Sequence, residues 1–259
     1  MIIENVKGLT FKKHAHILNS VTAILQGLQY IVYKQLVNTR NHGIPQNRPR
    51  LYIIAILASA KRHKFEWPTH VAEPDIARFL DVEQSGRKRD MNDLTPCALK
   101  NIVHFRDNMR KQHDVDILDD WYVVDTHAGK QYRSMAHNRC PCITKARGAS
   151  RGFFVTRLKR HLTVIELARL QGVPTDVAHE LLDAANGDHR ILGQGVGDAM
   201  SLNVLMRLLP RALRAAGLVP RLPFDVWARM PPASGILPDV LYKRGSDVGE
   251  SSALDAPSG

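Results

Sequence analysis

The feature that most constrains this chain is the aliphatic run from Ile53 to Ala58, entered through Arg50-Leu51-Tyr52. A run of that kind, with no polar alternation, reads as a strand over Arg50 to Leu57 that is buried on both faces. Tyr30 to Val37 is β-rich and reads as a second strand. Met1 to Ile3 is an apolar stub leading into Glu4-Asn5-Val6. Between the stub and the second strand, Ile17, Val21, Ile24, Leu25 and Leu28 fall near helical spacing, so Lys12 to Leu28 reads as an amphipathic helix. Asn38 to Arg48 is a loop, marked by Asn41, Gly43 and Pro45. A helix between two strands predicts a parallel α/β unit. Such a sheet needs both faces covered, and its open edge needs a neighbour.

The charge balance narrows the partners. The chain has 259 residues and a formal net charge of +11, which favours a polyanion such as nucleic acid, or a membrane surface. The longest aliphatic run is far too short to span a membrane, and Met1-Ile2-Ile3-Glu4 shows no basic leader, so no membrane span or signal peptide is expected, and duplex DNA rather than a membrane is the expected partner. Cys97, Cys140 and Cys142 make no disulfide framework, and a reducing cytoplasm is the expected setting. Cys140-Pro141-Cys142 lies near His137, but two cysteines one residue apart, with no second pair, are a weak metal signal, and no metal is expected.

The pattern changes after Ala58. Residues 1–58 read as a partial α/β domain, and residues 59–139 as a separate, irregular, polar region with Trp67 and Trp121 as anchors. Residues 140–217 return to helical periodicity, with helices expected over Thr163 to Gln171, Asp176 to Ala185 and Asp198 to Ala216. The tail over 218–259 is rich in Pro, Gly and Ser and is expected to be partly disordered.

Several segments carry chemistry. In Pro45-Gln46-Asn47-Arg48-Pro49-Arg50, an extended backbone puts Gln46, Arg48 and Arg50 on one face. Two guanidiniums and an amide there suit an anion or the carbonyl edge of a base, and a solvated basic loop is the plainer alternative. In Arg160 to Gly172, Thr163 and Glu166 have capping-box spacing, Leu162 and Leu167 fit a hydrophobic staple, and Gly172 with Pro174 ends the helix. Helix rules leave Arg160 and Arg169 over, for a phosphate or for bracing a neighbouring domain. Gly193 to Gly197 reads as a glycine-rich loop entering a helix capped by Asp198. Its spacing is not that of a dinucleotide fingerprint.

Taken in order, these segments resemble the later blocks of DNA cytosine-5 methyltransferases. Glu4-Asn5-Val6 matches that family's Glu-Asn-Val block. Asn38 through Arg50 resembles its Gly-Val-Pro-Gln-x-Arg-x-Arg block. Cys140 to Gly148 with Arg160 to Pro174 resembles the stretch that closes the target-recognition region, followed by the Arg-x-Leu-Thr block. Gly197 to Leu205 resembles the final Gly-Asn-Ala block. The resemblance covers about residues 1–216 and implies an α/β fold: the C-terminal part of a Rossmann-like methyltransferase sheet with an inserted small target-recognition domain.

It also implies roles. A cytosine flipped out of duplex DNA is attacked at C6 by a cysteine thiolate and takes a methyl group at C5 from S-adenosyl-L-methionine. Glu4 would hold N3, and Arg50, with Arg48 beside it, would neutralise charge at O2. Gly197, Asp198 and Ala199 would lie at the cofactor. Gln46, Arg147, Arg151, Arg160 and Arg169 would meet the DNA, as would Arg157 and Lys159, while residues 59–139 reach the major groove.

The family's Pro-Cys nucleophile block and its glycine-rich cofactor block have no counterpart here, and Cys142 stands in the wrong block to replace the nucleophile. Asp198 stands where the family has Asn. The resemblance therefore predicts a separate N-terminal methyltransferase chain as partner or a longer reading frame. A non-catalytic DNA-binding fragment is the alternative.

Overall fold

The structure is a computed structural model that describes residues 1–81 and 94–229. Its first part is a three-stranded sheet of β1 (Ile2–Val6), β2 (Tyr30–Asn38) and β3 (Pro49–Leu57), in the order β1-β3-β2. Helix α1 (Ala15–Gly27) joins β1 to β2. The strands and helix lie where the sequence puts them, but the expected parallel unit is corrected. Both β1 and β2 pair with β3 antiparallel. The link from β2 to β3 is too short for a helical crossover and simply turns the chain back, inserting β3 between the two.

β3 owes its unbroken apolar run to cover on both sides. Tyr52, Ile54 and Ile56 pack with Val204, Leu208 and Ala215 of α7 (Leu202–Ala215). Leu51, Ile53 and Ala55 pack with Leu18, Val21 and Leu25 of α1. The result is a helix–sheet–helix sandwich with β1 at one edge.

The second part is a four-stranded antiparallel sheet in the order β5-β4-β6-β7, built from β4 (Tyr122–Asp125), β5 (Met135–His137), β6 (Phe153–Val155) and β7 (Arg160–His161). One face carries α2 (Pro96–His113), whose Ile102, Phe105 and Met109 meet Val124 and Phe154. From residue 96 onward this replaces the irregular region expected over residues 59–139; before it, the described residues carry only short 3-10 turns. α2 buries only a narrow stripe and is polar elsewhere, so periodicity hid it. Its ends were nonetheless marked: Thr95 accepts a hydrogen bond from Ala98 N, Pro96 opens the first turn, and Asp114 closes the helix in the left-handed region. The sheet also draws β6 and β7 from beyond residue 139.

The remaining helices are α3 (Lys145–Ser150), α4 (Val164–Arg169), α5 (Thr175–Ala184), α6 (His189–Asp198) and the short α8 (Val226–Arg229). The capping box at α4 forms as expected, and Leu162 and Leu167 share one core cluster. The helix expected from Asp198 to Ala216 starts later, as α7 at Leu202, because Asp198 is instead the last residue of α6.

The glycines of Gly193 to Gly197 therefore lie inside α6, not in a loop. A Cβ on Gly193 would overlap the carbonyl of Gly148 in α3, and one on Gly197 would lie 2.5 Å from Thr144 and Lys145 backbone. These glycines let two helices touch through their backbones. Trp227 of α8 is buried in the main core, so the tail is anchored at least to that point. The disorder expected of its end falls on 230–259, outside the described residues.

Candidate active site

Cross-strand register builds the site. Glu4 on β1 lies opposite Tyr52 on β3, and Val6 lies opposite Arg50. Residues directly opposite share a face, and alternation adds Arg50 to the face of Tyr52. Glu4 Oε1 lies 3.6 Å from Arg50 Nε and 4.0 Å from Arg48 Nε. It also accepts a long hydrogen bond from the Tyr52 hydroxyl at 3.5 Å. The Glu4 side chain is 10% exposed and that of Arg50 15%, so the carboxyl is sheltered but reachable. Burial pushes the Glu4 carboxyl above the usual carboxylate range, although Arg48, Arg50 and the Tyr52 hydrogen bond pull it down. The Tyr52 hydroxyl is pushed far upward by its burial and by Glu4.

Arg48 plays a different part from Arg50. Its Nη1 donates to Ile143 O at 2.6 Å and Gly197 O at 3.3 Å, and its Nη2 donates to Ala199 O at 2.8 Å. It is a clamp joining the start of β3, the Cys142–Ile143 loop and the end of α6. Its buried Nε, turned toward Glu4, has no hydrogen-bond partner among the described residues. Burial, then Arg50, lowers its pKa. Arg50 Nη2 reaches Cys142 Sγ at 3.5 Å.

The structure thus gathers Glu4, Arg48 and Arg50. It adds Tyr52, which alternation from Arg50 would have found, and Cys142, which no local signal places there.

Several other expected roles change. Gln46 is fully buried; its Nε2 donates to Leu170 O at 2.6 Å and to Gln171 Oε1 at 2.8 Å, so it ties the loop before β3 to the chain just past α4. Arg160 grips Glu166 with two nitrogens at 2.6 and 2.8 Å and donates to Asp81 O. Arg169 pairs with Asp81 at 2.7 Å and bonds Phe79 O and Thr175. Both arginines brace the chain internally, with the Glu166 and Asp81 carboxylates and backbone carbonyls taking up their donors. Burial would raise the Glu166 carboxyl, but bonds from Arg160, Thr163 and Asp81 N together hold it below the usual range.

Arg147 pairs with Asp125 at 2.6 Å. Arg151, Arg157 and Lys159 remain exposed, with Arg157 lying over the Trp121 ring at 5.2 Å. In the segment expected at the cofactor, the Gly197 and Ala199 carbonyls are held by Arg48, and only Asp198 turns a polar side chain outward, 3.0 Å from Lys145 Nζ.

The chain matches the family described as C-5 cytosine-specific DNA methylase over residues 1–210. Among curated relatives, it is 36% identical over 210 residues to Type II methyltransferase M.AplI of Arthrospira platensis, covering 75% of this chain and 52% of that protein. It is 33% identical over 199 residues to Type II methyltransferase M.HpaII of Haemophilus parainfluenzae, covering 71% and 53%. The fold is similar to that of the Entamoeba histolytica methyltransferase EhMeth, with a TM-score of 0.50 at 19% identity over 82% of this chain and 62% of that one. The chain spans about half the length of these two curated relatives. It belongs to the C-5 cytosine-specific DNA methylase family.

Proposed function

We propose that this chain is the base-holding and DNA-positioning part of a DNA (cytosine-5) methyltransferase of the restriction–modification kind, acting in the cytoplasm on duplex DNA. The observation that carries the reading is the sheltered Glu4 carboxyl between two guanidiniums. A carboxyl whose burial favours its protonated form suits donation to N3 of a cytosine. That donation makes C6 electrophilic. Arg50, and the unpartnered Nε of Arg48, suit the negative charge that grows at O2.

S-adenosyl-L-methionine, when bound, supplies the methyl group. Of the residues expected to hold it, Asp198 fits: its exposed carboxylate can accept from the cofactor's ammonium group. Gly197 and Ala199 do not fit, since their carbonyls are already bonded and the space beside Gly197 holds backbone. The rest of the cofactor site and the nucleophilic thiolate belong, in this reading, to an N-terminal methyltransferase part, supplied by a partner chain or by a longer reading frame. Two features support it. β1 is an edge strand, and an apolar groove of about 490 Å³ lies between the start of β1, the end of β3 and α7, lined by Met1, Ile2, Leu57, Leu205, Leu209 and Leu213. The second sheet and α2 form the target-recognition part, which presents Arg151, Arg157 and Lys159 to DNA.

The test is methyl transfer from labelled cofactor to duplex DNA by this chain mixed with a complementing N-terminal half. Glu4→Gln is expected to lower the rate about 100-fold or more. Undiminished transfer by that variant would sink the catalytic reading. The exposed cations also favour a non-catalytic DNA-binding fragment; that alternative predicts salt-sensitive binding with no transfer in any combination.

A further inference from the structure

Arg48 sits at the end of the loop over residues 39–48, and that loop is held from behind by chain beyond the family-matched residues 1–210. Gly43 is left-handed at φ 94, and a Cβ there would lie 3.0 Å from Trp227 Cε3. The indole is 2% exposed and packs in the same cluster as Ile44. Two residues earlier, Asp225 accepts from Arg207 Nε at 3.0 and 3.1 Å, and its Oδ1 also accepts from Ala228 N at 3.2 Å. Arg207 in turn donates from Nη1 to His42 Nδ1 at 2.6 Å, and Asn203 donates to His42 O at 2.9 Å. The loop is therefore fixed between α7 and a strap ending in α8. On its other side, Asn47 N donates to Cys140 O and Cys140 N to Pro45 O, both within 2.9 Å.

We propose that Trp227, assisted by Asp225, is a positioning residue: it presses the 39–48 loop into the register that sets Arg48 beside Glu4. Arg48 needs three carbonyls from two other segments at once, so it tolerates little movement of the loop. A planar ring seated in the notch that a glycine leaves open is a contact with a defined shape, and an aliphatic residue would not fill it equally. The strap makes residues outside the matched family block part of the base-holding site. The catalytic consequence rests on the proposed function; the positioning itself does not.

Cys140 is a built-in reporter, since the residue is fully buried, shares a core cluster with Ile44 of this loop and bonds the loop through its backbone. Iodoacetamide labelling of Cys140 in the folded chain, followed by mass spectrometry, reads local opening. Trp227→Ala is expected to raise the Cys140 rate about ten-fold or more above Leu25→Ala, a control of comparable global destabilisation in the α1 core. Trp227→Phe should restore the slow rate, and Asp225→Asn should fall between. Equal Cys140 rates in Trp227→Ala and the control would overturn the proposal, as would a failure of Trp227→Phe to rescue. If Trp227→Ala does not fold, the Asp225→Asn and Trp227→Phe rates decide it alone. In the complemented methyl-transfer assay, Trp227→Ala should lower kcat with little change in KM for DNA; a change in KM alone would overturn the link to Arg48. Should wild type transfer no methyl group at all, the functional reading falls, while the labelling result stands by itself.

Discussion

At the scale of single residues, His42 and Glu4 show how burial does opposite things to two groups. Burial, then the positive Arg207 and the neighbouring His70, drives the His42 pKa down to about 4, against a smaller upward pull from Asp225. The neutral ring is what Arg207 requires, because its Nη1 needs an acceptor at Nδ1. An unfolded His42 takes a proton near pH 6.5 and the folded one only near pH 4. The unfolded state therefore binds more protons between those values, so stability is full above pH 6.5 and falls as pH drops toward 4. The loss at the foot of that window is on the order of 2–3 kcal/mol. Urea titrations at pH 7 and pH 4.5 should show it, and a variant lacking the imidazole should lose most of the difference. Glu166 acts lower down: its pKa is depressed, so its contribution is present above pH 4.5 and is lost below that. Glu4 has the reverse sign. Its raised pKa means the charged form is strained at neutral pH. Glu4→Gln should therefore lower transfer about 100-fold or more without lowering urea stability at pH 7, and a marked loss of stability would show that the carboxylate is structural.

At the scale of elements, α6 shows best what sequence could and could not reveal. Gly193, Gly195 and Gly197 in five residues read as a loop, because glycine weakens a helix wherever nothing else speaks for it. The helix forms because Asp188 caps it, accepting from Arg190 N and Ile191 N, and because α3 packs against it. Neither partner in that packing can be found from local pattern. The glycines also differ in a way only the structure exposes. Gly193 meets Gly148 backbone, whereas a Cβ on Gly195 meets nothing within 4 Å. Gly193→Ala should destabilise the chain by about 2 kcal/mol or more, since backbone must shift. Gly195→Ala should stabilise it by roughly 0.5–1 kcal/mol. Thermal or urea midpoints of the pair check both, and equal effects of the same sign would mean that α3 and α6 do not touch as described. The strands were easier to read, since β3 needs cover on both sides and its sequence says so. Strand direction was not legible, because an α1-sized link between β1 and β2 fits a parallel pair or one with β3 inserted. At the site, Glu4, Arg48 and Arg50 could be found from their blocks, while Cys142 reaches Arg50 across 92 residues of chain.

At the scale of the whole molecule, the net charge of +11 conceals two populations of cation. Arg160, Arg169 and Arg207 lie inside, each matched to a carboxylate. Arg151, Arg157 and Lys159 lie outside, at or near the turns around β6. Counterion release depends only on cations that can meet phosphate. Replacing an outer cation with Gln should therefore weaken binding to any duplex and reduce the log–log salt slope by roughly 1, with no change in unfolding midpoint. Replacing Arg160 with Ala should do the opposite. It strands the fully buried Glu166 carboxylate without its main partner, for a cost of about 3–5 kcal/mol, and leaves the slope alone as long as the chain stays folded. Salt titrations of duplex binding, set beside urea curves for the same variants, separate the two groups. A slope change in a folded Arg160 variant would return that residue to the DNA interface and make its grip on Glu166 a feature of the DNA-free state alone.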